Sequence, residues 1–255
     1  MNKIIITLLL LVNIGLSNNL TKLSSSLSSP IGMAFDSKGV LYISNWSSGE
    51  ILSFKDKKID EFISNVPSPS GLAIDKHDRI YIASYSKGEI YRVNKNKKLE
   101  VFLSGLSIIA GIYFDFDGNL LVASKNTGEI LSVSPNKKIK VLISDGLTTP
   151  VAAIQISQNE FIVSDISGFI YKYDKKLKKL TLLTDKLNSP AIGLVYKKGY
   201  VYAADYGGYG IYKISLKDNS VRMIEKSLKS PVGLTSNKDS FFIGTWGDNS
   251  LYNLK

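Results

Sequence analysis

Apolar residues in this chain gather in short β-like runs divided by polar turns. Between residues 30 and 63 there are four such runs, Gly32–Phe35, Val40–Ser44, Glu50–Phe54 and Ile59–Ile63. They are separated by Asp36-Ser37-Lys38-Gly39, Asn45–Gly49 and Lys55-Asp56-Lys57-Lys58. β-branched and aromatic runs bounded by Gly, Asp, Asn and Ser predict strands joined by tight turns. No stretch carries the spacing of an amphipathic helix.

The four-run unit repeats. Ser29-Pro30-Ile31-Gly32-Met33-Ala34-Phe35-Asp36 returns as Ser68-Pro69-Ser70-Gly71-Leu72-Ala73-Ile74-Asp75. It returns again as Ile109-Ala110-Gly111-Ile112-Tyr113-Phe114-Asp115, and more weakly from Pro150, Pro190 and Pro231. With Gly32, Gly71, Gly111, Ala153, Gly193 and Gly233 taken as equivalent, the spacings are 39, 40, 42, 40 and 40 residues. Four strands in about 40 residues is the period of a propeller blade. The pattern therefore predicts an all-β fold, a six-bladed β-propeller with four antiparallel strands per blade, forming one domain over residues 18–255.

The chain ends support a closed ring. The last repeat stops at Ser250–Lys255, its third strand, and lacks a fourth. The segment Leu20-Thr21-Lys22-Leu23, leading to Ser29-Pro30, matches Leu180-Thr181-Leu182-Leu183, leading to Ser189-Pro190, at the end of the fourth repeat. This N-terminal strand is expected to complete the last blade and remove its exposed edge.

Composition adds boundaries. Of the 255 residues 44% are hydrophobic and 21% charged, which is globular. The absence of cysteine excludes disulfides and thiol chemistry. The lone histidine, His77, sits in Asp75-Lys76-His77-Asp78-Arg79 and reads as a solvated turn residue. The net charge of +10 comes almost wholly from lysine, arginine appearing only at Arg79, Arg92 and Arg222. Ahead of the repeats, Lys3, the apolar run Ile4 to Val12 and Gly15-Leu16-Ser17 follow the pattern of a secretory signal peptide cleaved after Ser17. Residues 1–17 thus predict a periplasmic or extracellular protein, the apolar run being short of the roughly 20 residues a membrane span needs.

The phrase Pro-x-Gly-φ-x-φ-Asp followed by φ-Tyr-φ-x-Asn/Asp, where φ is apolar, resembles NHL repeats. It also resembles the gluconolactonase/regucalcin-like and strictosidine synthase-like six-bladed propellers, over the span from about Leu20 to Lys255. The resemblance implies architecture more than activity, since such folds host many functions. Gluconolactonase-like enzymes hold a divalent cation such as calcium at the channel mouth with a Glu, two Asn and an Asp. Two of these precede the glycine of an innermost strand. Here the corresponding residues are Ile31, Ser70, Ala110, Ala152, Ile192 and Val232, with no carboxylate or amide among them. A hard cation needs several converging oxygens, so no cofactor is expected. The histidines on which streptogramin-lyase-like relatives rely are also missing.

Antiparallel order sorts residues onto two faces. On one, the second strands close with Asn45, Ser84, Ser124, Asp165, Asp205 and Thr245, all small and polar. The next residues are Trp46, Tyr85, Lys125, Ile166, Tyr206 and Trp246, so the aromatics form an arc across blades five, six, one and two. Asn45, Trp46, Tyr85, Asp165, Asp205, Tyr206 and Trp246 are the ligand-binding candidates. The rings equally suit packing between blades, and the polar residues suit turn capping. The opposite face collects lysines such as Lys55, Lys57, Lys95, Lys137, Lys175 and Lys178, diluted by Asp56, Asp60 and Asp174.

These features predict an exported monomeric binding protein for a small molecule, glycan or peptide. A metal-dependent hydrolase or lactonase using Asp165 and Asp205 is the alternative, and an envelope scaffold docking its lysine face on an anionic surface is a third. No nucleophile–base pair can be named, and no nucleic-acid motif is present.

Overall fold

The computed structural model describes residues 20–238 and 240–255; residues 1–17, which the sequence pattern reads as a signal peptide, lie outside them. Twenty-four strands form six four-stranded antiparallel sheets, and the described residues contain no helix. Blade 1 comprises Pro30–Phe35, Leu41–Asn45, Glu50–Lys55 and Lys58–Ile63, close to the runs read from the sequence. Each of the first five blades takes four consecutive strands, and the first strands of successive blades touch one another around the ring.

Blade 6 is closed from both chain ends. Leu20–Ser24 pairs antiparallel with Ser250–Leu254, with Leu20 opposite Leu254 and Lys22 opposite Tyr252. Leu27 N–H donates to the Asn249 carbonyl at 3.0 Å, and Ser29 N–H to Asn249 Oδ1 at 2.9 Å. Across the same seam, Phe35 meets Phe242 edge-to-face at 5.1 Å within a cluster holding Leu27, Leu41, Ile43 and Leu251. An edge that would otherwise present unpaired N–H and C=O groups is thus both hydrogen-bonded and packed.

Every innermost strand carries a register irregularity near its start, for example between Pro30 and Met33 and between Pro69 and Leu72. Bulges re-aim side chains, and here they turn the residue before the glycine toward the axis. The glycine that follows allows neighbouring strands to meet backbone to backbone. A Cβ on Gly71 would lie 2.5 Å from Ile112 N and 2.6 Å from the Ala110 carbonyl. The register also corrects one equivalence. Ala152 lies opposite Ser164 as Gly233 lies opposite Gly244, so Ala152 holds the glycine position in blade 4 and Val151 precedes it. The two adjacent alanines hide the one-residue slip, although Pro150-Val151-Ala152 keeps the Pro-x-Gly spacing of Pro231-Val232-Gly233.

The basic face is less free than its composition implies. Lys97 Nζ sits 5.3 Å from the Phe62 ring centre and Lys137 Nζ 5.5 Å from that of Phe102, each on the preceding blade. Their stems cover apolar surface while the heads stay in water.

Candidate binding site at the channel mouth

Two rings of six residues build a cavity of about 260 Å³ on the face opposite the lysines. The outer ring is the set that follows the second strands: Trp46, Tyr85, Lys125, Ile166, Tyr206 and Trp246. Each is pinned in the same way, its backbone N–H donating to a carbonyl of the loop that leads into its own blade. Examples are Trp46 to Ser29 at 3.1 Å, Lys125 to Ile108 at 2.8 Å and Trp246 to Ser230 at 2.9 Å. The inner ring is the set that precedes the glycines: Ile31, Ser70, Ala110, Val151, Ile192 and Val232, joined by Ala191.

The aromatic arc is continuous. Tyr206 meets Trp246 at 5.7 Å, Trp246 meets Trp46 at 6.2 Å, and Trp46 meets Tyr85 at 4.9 Å between ring centres. The Tyr206–Trp246 and Trp46–Tyr85 pairs are near-perpendicular, the edge-to-face geometry that ring quadrupoles favour. Trp246 also wedges between blades, its Nε1–H donating to the Pro30 carbonyl at 3.0 Å. Trp46 makes no such bond and presents its ring to the cavity. Lys125 continues the arc, with Nζ donating to the Tyr85 hydroxyl at 3.3 Å and lying 5.6 Å from that ring centre.

Below the cavity, at the level of the glycines, the channel narrows until no water fits. Tyr113 of blade 3 crosses it and donates its phenol to the Ile192 carbonyl of blade 5. Burial pushes this phenol above the usual tyrosine range, which keeps it a protonated donor. Tyr113 escaped the sequence reading. Its only signal is size, because the equivalent positions hold Ala34, Ala73, Ile154, Val195 and Thr235. Lys125 and Ile166 were legible as members of the periodic position but had no aromatic character to single them out.

The polar candidates sit elsewhere. Asp165 is fully buried and accepts from Thr148 N–H at 2.8 Å, Thr149 N–H at 2.9 Å, Ser167 N–H at 3.1 Å and Ser167 Oγ at 2.5 Å. Asp205, also fully buried, accepts from Asn188 N–H at 3.0 Å and Ser189 N–H at 2.7 Å. Asn45 is buried too, with no partner for its Oδ1. None of the three lines the cavity. Ser84 donates to the Pro67 carbonyl at 2.6 Å, and Thr245 to Asp248 Oδ1 at 2.5 Å, both as turn caps.

The residues present do not fit a hard divalent cation. The inner ring offers one hydroxyl, Ser70, whose Oγ donates within the protein to the Ala110 carbonyl at 3.1 Å. The outer ring adds a lysine where a cation would need carboxylates. His77 lies in the turn between the first two strands of blade 2, on the far face.

No protein-family model matches the chain, and no curated protein matches it by sequence. Solved structures share its fold. A gluconolactonase from Xanthomonas campestris superposes with a TM-score of 0.82 at 14% identity, covering 92% of this chain and 88% of that one. Virginiamycin B lyase from Staphylococcus aureus gives 0.72 at 15% identity, covering 92% and 98%. An auxiliary nutrient binding protein from Bacteroides thetaiotaomicron gives 0.74 at 14% identity, covering 90% and 69%. The likeness is one of architecture, the six-bladed propeller.

Proposed function

We propose that this protein is an exported, non-catalytic binding protein that takes a small apolar or aromatic ligand in the mouth of its channel. The observation that carries the reading is the cavity itself, walled by aliphatic side chains and rimmed by four aromatic rings. Ligand pockets are concave, mainly apolar and supplied with few polar groups. At about 260 Å³ the cavity falls near the lower end of the roughly 300–1,000 Å³ typical of such sites, which favours a small molecule over an extended peptide or glycan. Asp165 and Asp205, the carboxylates of the hydrolase alternative, serve instead as acceptors for backbone N–H groups. Sharing a fold with a nutrient-binding propeller is compatible with a binding role.

Both tryptophans of the chain stand at this mouth, so indole emission reports on its occupancy directly. Titration with a small-molecule library should shift or quench that emission. Trp46→Ala should weaken binding by about tenfold or more, and the loss of its two ring pairs should cost about 2 kcal/mol of stability. Unchanged affinity in Trp46→Ala would count against the site. Export is tested separately by mass spectrometry of the mature N-terminus, expected to follow Ser17.

A further inference from the structure

The outer ring holds one charged residue, and its place is specific. Lys125 belongs to blade 3, three blades from Trp246, so the cation and the indole face each other across the mouth. Its Nζ finds only a phenol and a ring face, those of Tyr85, and forms no ion pair with any carboxylate among the described residues. No carboxylate lines the cavity to neutralise it. An ammonium beside an apolar hollow, without a counter-ion, is an incomplete electrostatic arrangement that a ligand can complete.

From this we infer that the ligand is a small amphipathic monoanion, an apolar or aromatic carboxylate. Its head group pairs with Lys125, and its apolar body lies against Trp246, Trp46 and the aliphatic wall. The inference rests on the binding reading above and names its ligand class. Aromatic rims also suit organic cations, but Lys125 would repel one within the same mouth, and the net positive charge, lysine-rich also without Lys3, favours the approach of anions. A phosphate dianion fits less well. Such groups are held by arginine forks or several convergent donors, and the mouth provides a single lysine.

The test uses the mature propeller and matched ligand pairs, each carboxylate with its primary amide: 4-phenylbutyrate, decanoate and cyclohexylbutyrate, none of which obscures tryptophan emission. Charge-assisted hydrogen bonds predict that the wild type binds the carboxylate about 10- to 100-fold more tightly than its amide. Lys125→Gln should abolish that preference by weakening the carboxylate far more than the amide, and Lys125→Arg should retain it. Equal binding of acid and amide by the wild type, or a preference that survives in Lys125→Gln, overturns the inference and leaves the apolar site standing. Failure of every acid and amide to bind overturns both. Circular dichroism and melting of the Lys125 variants confirm that the rim substitution leaves the fold intact.

Discussion

The last residue of the second strand does different work in blades 4 and 5 than in blade 1. In blades 4 and 5 it is Asp165 or Asp205, whose buried carboxylate ties down the loop that leads into its own blade. In blade 1 it is Asn45, equally buried, with an Oδ1 that bonds to nothing. The reason lies at the seam. The loop leading into blade 1 is held from the other chain end, where Asn249 Oδ1 takes the Ser29 N–H at 2.9 Å. A cap supplied by the C-terminal blade replaces the cap that a middle blade supplies to itself. The repeat is symmetric in backbone, but its polar accounting is settled locally, blade by blade.

The largest effect should come from the middle blades. Asp205→Ala leaves at least two backbone N–H groups without their acceptor, and Asp165→Ala leaves more. Each loss should cost about 3 kcal/mol, lowering Tm by about 6–12 °C in a chain of this size. A shift of under about 2 °C in thermal melts would show that these carboxylates are not structural caps.

A smaller effect is expected at the seam, where Asp248 accepts from Lys22 at 2.9 Å, Thr245 at 2.5 Å and Tyr252 at 2.6 Å. Burial pushes this carboxyl upward, but the bonds from Lys22, Thr245 and Tyr252 outweigh it and hold it well below the usual carboxylate range. A group depressed in the folded state stabilises above its unfolded pKa of about 3.9 and loses that contribution as pH falls toward the folded value. Ring closure should therefore weaken in acid below about pH 4. Asp248→Asn should cost about 2 kcal/mol at neutral pH and flatten this part of the pH–stability profile. An unchanged acid limb in denaturant unfolding of Asp248→Asn would place the acid sensitivity elsewhere.

The smallest effect should be at Asn45. With no bond to lose from its Oδ1, Asn45→Ala is expected to cost less than about 1 kcal/mol, although it occupies the position where Asp205→Ala is severe. Equal losses at the two positions would mean that the seam does not replace the cap.

Much of this was readable in advance. The Pro-x-Gly phrase and its near-constant spacing carry the six blades, because each blade must present the same strand–turn order to a common axis. The arc from Tyr206 to Tyr85 was readable because equivalent positions in a repeat share a face. The carboxylates were not readable in the same way. An Asp closing a strand next to a Ser-rich loop looks alike whether it caps that loop or meets a ligand, and the choice depends on which N–H groups come within 3 Å. The bridge across the channel was hidden as well. Tyr113 and Ile192 lie in different blades and meet only because the ring brings blades 3 and 5 across one narrow channel.

The sequence by itself determined the periodic features: strand runs, turn chemistry, blade number, the orphan N-terminal strand and the ring of positions at the mouth. These depend on local propensity and on repetition, which a linear pattern records directly. Tertiary structure alone decided that all six members of that ring line one cavity, that Lys125 stands without a counter-ion opposite Trp246, and that the buried aspartates are engaged by backbone. Those outcomes follow from distances between blades, which closure of the ring sets and no local pattern encodes.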